Sequence, residues 1–165
     1  MRSVGMKKQL EVFYFFSINN AASFKKKLHT SLVSKITNTK QLMFTNTQPI
    51  VALNLAFTYP GLVKLGYGDP LADKPFYYGQ WSDASNLWDN DPATNWVPQF
   101  QGRKIDGVFL IASDKQTYLD AQIYAISSLF NTDITNVYSL KGNIRPPPNE
   151  GHESEYINTI AWVSL

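Results

Sequence analysis

The stretch QLEVFYFFSI at residues 9–18 decides the fold. Four aromatic residues in one short apolar run are typical of a buried β-strand. Asn19 and Asn20 follow, and the side-chain oxygen of either can cap the first turn of a helix. Apolar residues then recur at helical spacing, at Ala21, Phe24, Leu28 and Leu32. The chain is therefore predicted to begin with a strand followed by a helix.

Strands and helices continue to alternate farther along the chain. A second strand is predicted at residues 50–57 after Pro49, and a short helix at residues 59–66 that ends at Gly66. Residues 107–113 predict a third strand, and we expect Ser113 or Asp114 to cap a second long helix. The apolar face of that helix is predicted at Leu119, Ile123, Ile126 and Phe130.

A fourth strand is predicted at residues 134–144, with Ile134, Val137 and Leu140 as its core contacts. The sequence RPPPNEG at residues 145–151 then ends the regular structure. The order is typical of an α+β, ferredoxin-like split βαβ fold with an antiparallel sheet and helices on one face. We expect a domain at residues 9–145 and a divergent tail at 146–165.

Two segments lack periodicity. Residues 37–47 are polar and are predicted to form a loop. Residues 67–104 carry many prolines and glycines and three of the four tryptophans, Trp81, Trp88 and Trp96. Such a long connection indicates either a functional or partner-binding segment or a compact loop that packs on its own aromatic residues. Both interpretations remain open.

Composition excludes several classes of function. The formal charge of +2 gives no reason to expect nucleic acid or an anionic membrane as a partner, and Lys25, Lys26 and Lys27 are predicted to be a solvated helix face. The absence of cysteine excludes disulfides and thiolate sites. No apolar run is long enough to span a membrane. The early apolar run resembles a short signal peptide, but its β-forming residues favour a strand, so localisation stays undetermined.

Motifs alone assign no site. His29 is expected to be a structural histidine at the helix surface, and His152 lies in a less usual setting between Gly151 and Glu153. Asp83, Asp89 and Asp91 do not have the spacing of a calcium loop. Ser113-Asp114 lacks the Gly-x-Ser-x-Gly context, and residues 61–68 lack a phosphate-binding glycine pattern.

Several segments, in order, carry a resemblance to a known family. They are EVFYFFSINN at 11–20, NLAFTYPGL at 54–62, TNWVPQF at 94–100, DGVFLIASD at 106–114, and the shorter matches Gly79-Gln80, LKG at 140–142, Arg145-Pro146 and Gly151-His152-Glu153. Over residues 5–153 the chain closely resembles the N-terminal half of fungal dye-decolourising (DyP-type) haem peroxidases.

The resemblance implies a ferredoxin-like half-barrel. Members of that family pair two such halves, hold haem b mainly with the second, and oxidise dyes and phenols with hydrogen peroxide. A distal aspartate in a Gly-x-x-Asp-Gly motif and a distal arginine assist cleavage of the peroxide, and a proximal histidine ligates the iron.

The chain departs from this family after Glu153. It continues as SEYINTIAWVSL at residues 154–165, without Gly-x-x-Asp-Gly, which suggests a retained intron, a frameshift or a truncated gene model. No catalytic, cofactor-binding or metal-ligating residue is therefore assigned, and we expect this chain to bind no haem alone.

Three functions remain open. The first is the N-terminal portion of a peroxidase that is active only with its C-terminal half. The second is a dimerisation or binding module that pairs through the open face of the sheet, unless the chain is a non-functional gene product. The third, ranked last, is a small cofactor-binding enzyme that uses His29 or His152. Intact members of the family are often secreted.

Overall fold

The computed structural model describes residues 8–43, 49–69, 72–89, 95–144 and 160–162. Five strands form one sheet in the order β2-β3-β1-β4-β5, and every neighbouring pair is antiparallel. The strands are β1 (Leu10–Ile18), β2 (Val51–Phe57), β3 (Gly107–Ser113), β4 (Ile134–Ile144) and β5 (Ile160–Trp162). The order of the first four strands is that of the split βαβ fold, so the predicted fold class is confirmed.

Strand β1 lies at the centre of the sheet, with one face toward the helices and the other facing away from them. Its residues Val12, Phe16 and Ile18 point toward the helices and are at most 6% exposed. The rings of Phe16 and Phe109 stack with centroids 4.7 Å apart, and those of Phe24 and Phe130 at the same distance. The core therefore lies between the sheet and two helices, α1 (Ala21–Lys27) and α5 (Gln116–Phe130).

The first helix, α1, begins at a side-chain cap and continues into two short turns of other helix types. The Asn20 side chain accepts a hydrogen bond from the Ser23 amide at 3.1 Å, as its residue type predicts for a helix cap. A π-helical turn (Leu28–Leu32) and a 3-10 turn (Val33–Lys35) follow α1. Phe24 and Leu32, both predicted on the apolar face, are fully buried.

Short helices occupy the two segments that were predicted to be irregular, residues 37–47 and 67–104, and the short helix predicted at residues 59–66 is also present. Helix α2 (Thr39–Met43) lies within the predicted loop, because Asn38 and Gln41 each bond the other's backbone amide through their side chains. Helices α3 (Tyr59–Lys64) and α4 (Lys74–Tyr78) and a 3-10 helix (Gln80–Leu87) follow β2. Side-chain oxygens of Thr58 and Asp73 cap α3 and α4. Capping thus creates helices too short to show periodicity.

Helix α3 is fixed against the chain that enters β3. An ideal Cβ built on Gly61 would lie 1.9 Å from the backbone oxygen of Asp106. The Asp106 carboxylate, 1% exposed, accepts hydrogen bonds from the Ile18 amide and from Lys64 Nζ, both at 2.6 Å. These contacts join α3, the end of β1 and the start of β3.

Two local predictions were wrong. No side chain caps α5 at its N-cap residue Lys115; the Ser113 hydroxyl donates to the Ile50 carbonyl, and Asp114 pairs with Lys8 at 3.0 Å. The reason is that Ser113 is still part of buried β3. Of the predicted core contacts in β4, only Ile134 is buried, whereas Val137 and Leu140 are half-buried.

Two further features of the sheet were not predicted. The β1–β4 register shifts between Phe15 and Phe16, which is the signature of a β-bulge. Regular structure does not end at residue 145, because β5 pairs with Gly142–Ile144 of β4. Residues 145–159 and 163–165 lie outside the described residues. The division between a domain at 9–145 and a tail at 146–165 remains a prediction.

Candidate functional site

The face of the sheet opposite the helices is a candidate binding surface. We call it the open face. Side chains directly opposite each other on paired antiparallel strands lie on the same face, so the register defines its members. Its centre is aromatic and aliphatic, with half-buried side chains at Phe13, Phe15, Val108, Leu110, Tyr138 and Leu140. Large apolar patches are a feature of interaction sites, so the open face is a candidate for one.

Phe100, from the long segment at residues 67–104, covers part of the open face. Its ring meets Phe15 edge-on with a centroid distance of 5.0 Å and Tyr138 at 5.3 Å. The same segment packs on its own aromatic residues, since the Trp81 and Trp96 rings are 5.6 Å apart. This packing supports the interpretation as a compact loop on its own aromatic residues, and a partner-binding role stays a prediction.

Polar contacts hold the long segment together. The Trp96 indole donates to Asp89, and Gln101 donates to the Trp96 carbonyl. Arg103 donates to the Tyr77 carbonyl, and its guanidinium lies 5.7 Å from the centroid of the Tyr77 ring. Trp88 is different: it is 88% exposed and has a left-handed backbone, with φ of 60°.

Glu11 is a carboxylate at the otherwise apolar centre of the sheet. It lies on the open face beside Ala112 of β3 and Gly142 of β4, and it is 8% exposed. Its Oε2 atom is buried and has no hydrogen-bond partner within the described part of the chain. Burial raises the pKa of this carboxyl above its ordinary value. Sequence analysis missed Glu11 as a candidate, although a charge within an aromatic strand was the available signal.

A groove of about 260 Å³ lies where β1 and β4 meet the start of α5. Glu11, Gln116 and Lys141 are among its lining residues, and no histidine is among the described residues that line it. Its volume is below the roughly 300–1,000 Å³ of pockets that hold drug-sized ligands. It can accommodate a small group but not a large cofactor.

The structure does not bring the sequence-predicted site residues together. His29 is exposed on the π-helical turn, whereas His152 and Glu153 lie outside the described residues, as does Asp91. Asp83 accepts a hydrogen bond from Asn86. Across the described ranges, no group of three or more metal-ligating side chains forms.

The lysine run is only partly solvated. Lys25 and Lys26 are exposed as predicted, but Lys27 Nζ lies 2.7 Å from the Asp133 carboxylate. Asp133 also accepts a hydrogen bond from the Ser23 hydroxyl at 2.7 Å. The hydrogen bond from Lys27, followed by that from Ser23, lowers the pKa of Asp133. This pair links α1 to the start of β4 and has no ligand-binding geometry.

The described residues do not fit a haem group. An axial ligand must face a large apolar pocket, but His29 faces solvent and the groove is too small.

Within the described ranges, no helix is long and apolar enough to cross a bilayer.

A family model described as the DyP dimeric alpha+beta barrel domain matches residues 3–146. The chain belongs to the DyP family. This membership confirms the resemblance inferred from the sequence and agrees with the observed sheet.

The relatives that align with 91% of this DyP domain chain are named peroxidases. A dye-decolorizing peroxidase of Mycena epipterygia is 43% identical over 150 residues, which cover 91% of this chain and 28% of the relative. Dye-decolorizing peroxidase msp1 of Mycetinis scorodonius is 45% identical over 152 residues, which cover 91% of this chain and 29% of the relative. The DyP domain therefore spans less than a third of the relatives that it matches.

Solved structures share the fold of the DyP domain. A decolorizing peroxidase from Auricularia auricula-judae superposes with a TM-score of 0.83 at 43% identity, covering 91% of this chain and 33% of that one. A dye-decolorizing peroxidase engineered in its heme pocket gives a TM-score of 0.82 at 44% identity, covering 89% and 32%. The open face is thus one surface of a fold found within much longer enzymes.

Proposed function

We propose that this chain is the N-terminal portion of a DyP-type haem peroxidase, and that it contributes one sheet to an enzyme that oxidises dyes and phenols with hydrogen peroxide. The observation that carries the proposal is the combination of 43–45% identity to dye-decolorizing peroxidases over 91% of the chain with coverage of only 28–30% of those enzymes. The rest of the enzyme would supply the haem and its ligands.

The role of the chain in that enzyme is structural. Haem, when bound by the rest of the protein, supplies the redox chemistry of peroxide cleavage. The open face gives the covering domain an apolar surface, because packing on Phe13, Phe15 and Leu110 would remove those side chains from water. Alone, the chain is expected to be inactive, since its described residues provide no haem site.

A haemin titration tests this proposal. The purified chain is expected to show no saturable Soret shift and no peroxide-dependent turnover of an anthraquinone dye. A chimera in which residues 8–144 replace the matching segment of the Auricularia auricula-judae peroxidase is expected to show both. Saturable binding and turnover by the chain alone would contradict the proposal, and His29→Ala and His152→Ala variants would then locate the ligand.

A second candidate is a dimerisation module. It is favoured by the apolar character of the open face, which a second copy could cover. Sedimentation equilibrium distinguishes the two candidates, because a module forms a defined dimer without any other domain. Aggregation in place of either outcome would indicate a non-functional gene product.

A further inference from the structure

We propose that Glu11 receives a cationic side chain, an arginine guanidinium, from the domain that covers the open face. The inference rests on the proposed function, because it specifies the chemistry of the covering surface. It predicts an apolar partner surface with one cation placed opposite the Glu11 carboxylate.

The first step is the environment of the carboxylate. Glu11 is 8% exposed, and its buried Oε2 has no hydrogen-bond partner among the residues that the structure describes. A buried carboxylate is stable when it is paired and hydrogen-bonded, and costly when it is not. Glu11 therefore has a buried acceptor that no described residue satisfies.

The second step is the space around it. The cross-strand neighbours of Glu11 on the open face are Ala112 and Gly142. The first has only a methyl group and the second has no side chain. Farther along β1, the neighbours of Phe13 are the larger Leu110 and Leu140. Small residues therefore flank the carboxylate on both neighbouring strands, and the next position in the same row, across Gly142, is Trp162 of β5.

The third step is that the described chain does not supply the cation. Lys8 is the lysine nearest in sequence, but it pairs with Asp114. Lys141 lines the same groove as Glu11, but it is opposite Val12, so its side chain lies on the helix side of the sheet. The open-face positions given by the register of β1 to β4 include no lysine or arginine.

This distribution of charge favours a covering domain over a second copy of the chain. In a symmetric dimer, each open face would meet the same surface, and each Glu11 would be covered without a cation from the strands. Burying an unpaired charge opposes such a dimer. A guanidinium suits the position because it is weakly hydrated and bonds a carboxylate through two parallel N–H groups.

Neutralising Glu11 in the chimeric peroxidase tests the inference. Glu11→Gln is expected to raise the unfolding equilibrium constant about 30-fold or more, because the facing cation loses its charge partner. Asp120→Asn, which neutralises an exposed carboxylate on α5, is the matched control and should change it less than about fivefold. Equal effects of the two substitutions would overturn the inference alone. A chimera that binds no haem would overturn the proposed function, and this inference with it.

The unmodified chain provides an independent measurement. Glu11→Gln is expected to strengthen self-association about tenfold or more in sedimentation equilibrium, since it removes the charge that opposes face-to-face pairing. A tight wild-type dimer that is unaffected by Glu11→Gln would overturn the inference. A double-mutant cycle in urea with Arg145→Gln, a residue outside the described ranges, completes the test. Strong coupling between positions 11 and 145 would mean that the cation is internal, which also overturns the inference.

Discussion

Gly61 and Gly68 lie close together in the chain but differ in what surrounds them. A methyl group on Gly61 would meet the backbone of Asp106, whereas one on Gly68 would meet no atom within 4 Å. Backbone cannot move aside as the end of a flexible side chain can. The close approach of α3 to the start of β3 therefore requires glycine at position 61.

Gly61→Ala is expected to lower the free energy of unfolding by about 1–3 kcal/mol, because overpacking outweighs the gain of up to about 1 kcal/mol in helix propensity. Gly68→Ala should change it by less than about 0.5 kcal/mol. Urea denaturation monitored by tryptophan fluorescence measures both variants. Similar values for the two would show that α3 adjusts its position freely.

Single-residue predictions from the sequence succeed when the interaction is local. Asn19 and Asn20 were the predicted helix caps, and Asn20 is the cap because its oxygen bonds an amide three residues away. Ser113 was misassigned because its hydroxyl bonds Ile50, 63 residues away in sequence. The environment of Glu11 could not be predicted, because its neighbours Ala112 and Gly142 are distant in sequence and lie beside it only through strand pairing.

Asp133 shows how separate elements are joined. Its carboxylate binds Lys27 and Ser23 of α1, and its backbone oxygen accepts hydrogen bonds from the amides of Asn19 and Asn20. Asp133, the residue immediately before β4, therefore fixes the connection between β1 and α1.

The depressed pKa of Asp133 makes this junction sensitive to acid. The folded state binds the proton less tightly than the unfolded state, so the stabilisation is complete above the ordinary value of about 3.9. It is lost as the pH falls through the lower folded value. Asp133→Asn is expected to destabilise the protein at pH 6, and the difference from wild type should shrink toward pH 2. Urea denaturation across this range measures it, with Asp120→Asn as the control; a constant difference would contradict the assignment.

Long elements could be predicted from their period, whereas among the short helices only α3 was predicted, from the glycine that follows it. Strands β1 to β4 and helix α5 repeat their apolar pattern over enough residues to define a period. Helix α2 has five residues, and its existence depends on the reciprocal bonds of Asn38 and Gln41. A β-bulge such as that between β1 and β4 cannot be predicted from composition. The strand register places Leu140 opposite Phe13 on the open face, so the sequence alone could not show that Leu140 is only half-buried.

Phe100 covers part of the open face and so reduces the apolar surface that the molecule exposes to water. Phe100→Ala would uncover Phe15 and Tyr138, and we expect stronger binding of the dye ANS together with a loss of about 1.5–2.5 kcal/mol, half the cost of truncating a fully buried phenylalanine. Tyr124→Ala, which removes a side chain that is 73% exposed on α5, should leave both properties unchanged. Unaltered ANS fluorescence in Phe100→Ala would show that Phe100 does not shield the open face.

The central place of β1 in the sheet has a consequence for synthesis in the cell. Of the five described strands, β1 leaves the ribosome first, yet both of its neighbours, β3 and β4, begin only at residues 107 and 134. At about 5–20 residues per second, β1 waits on the order of 5–20 s for β3 to be completed. Its sequence is apolar, rich in β-forming residues and free of proline, which is the composition of an aggregation-prone segment. The nascent chain is therefore expected to depend on chaperones until residue 113 has emerged.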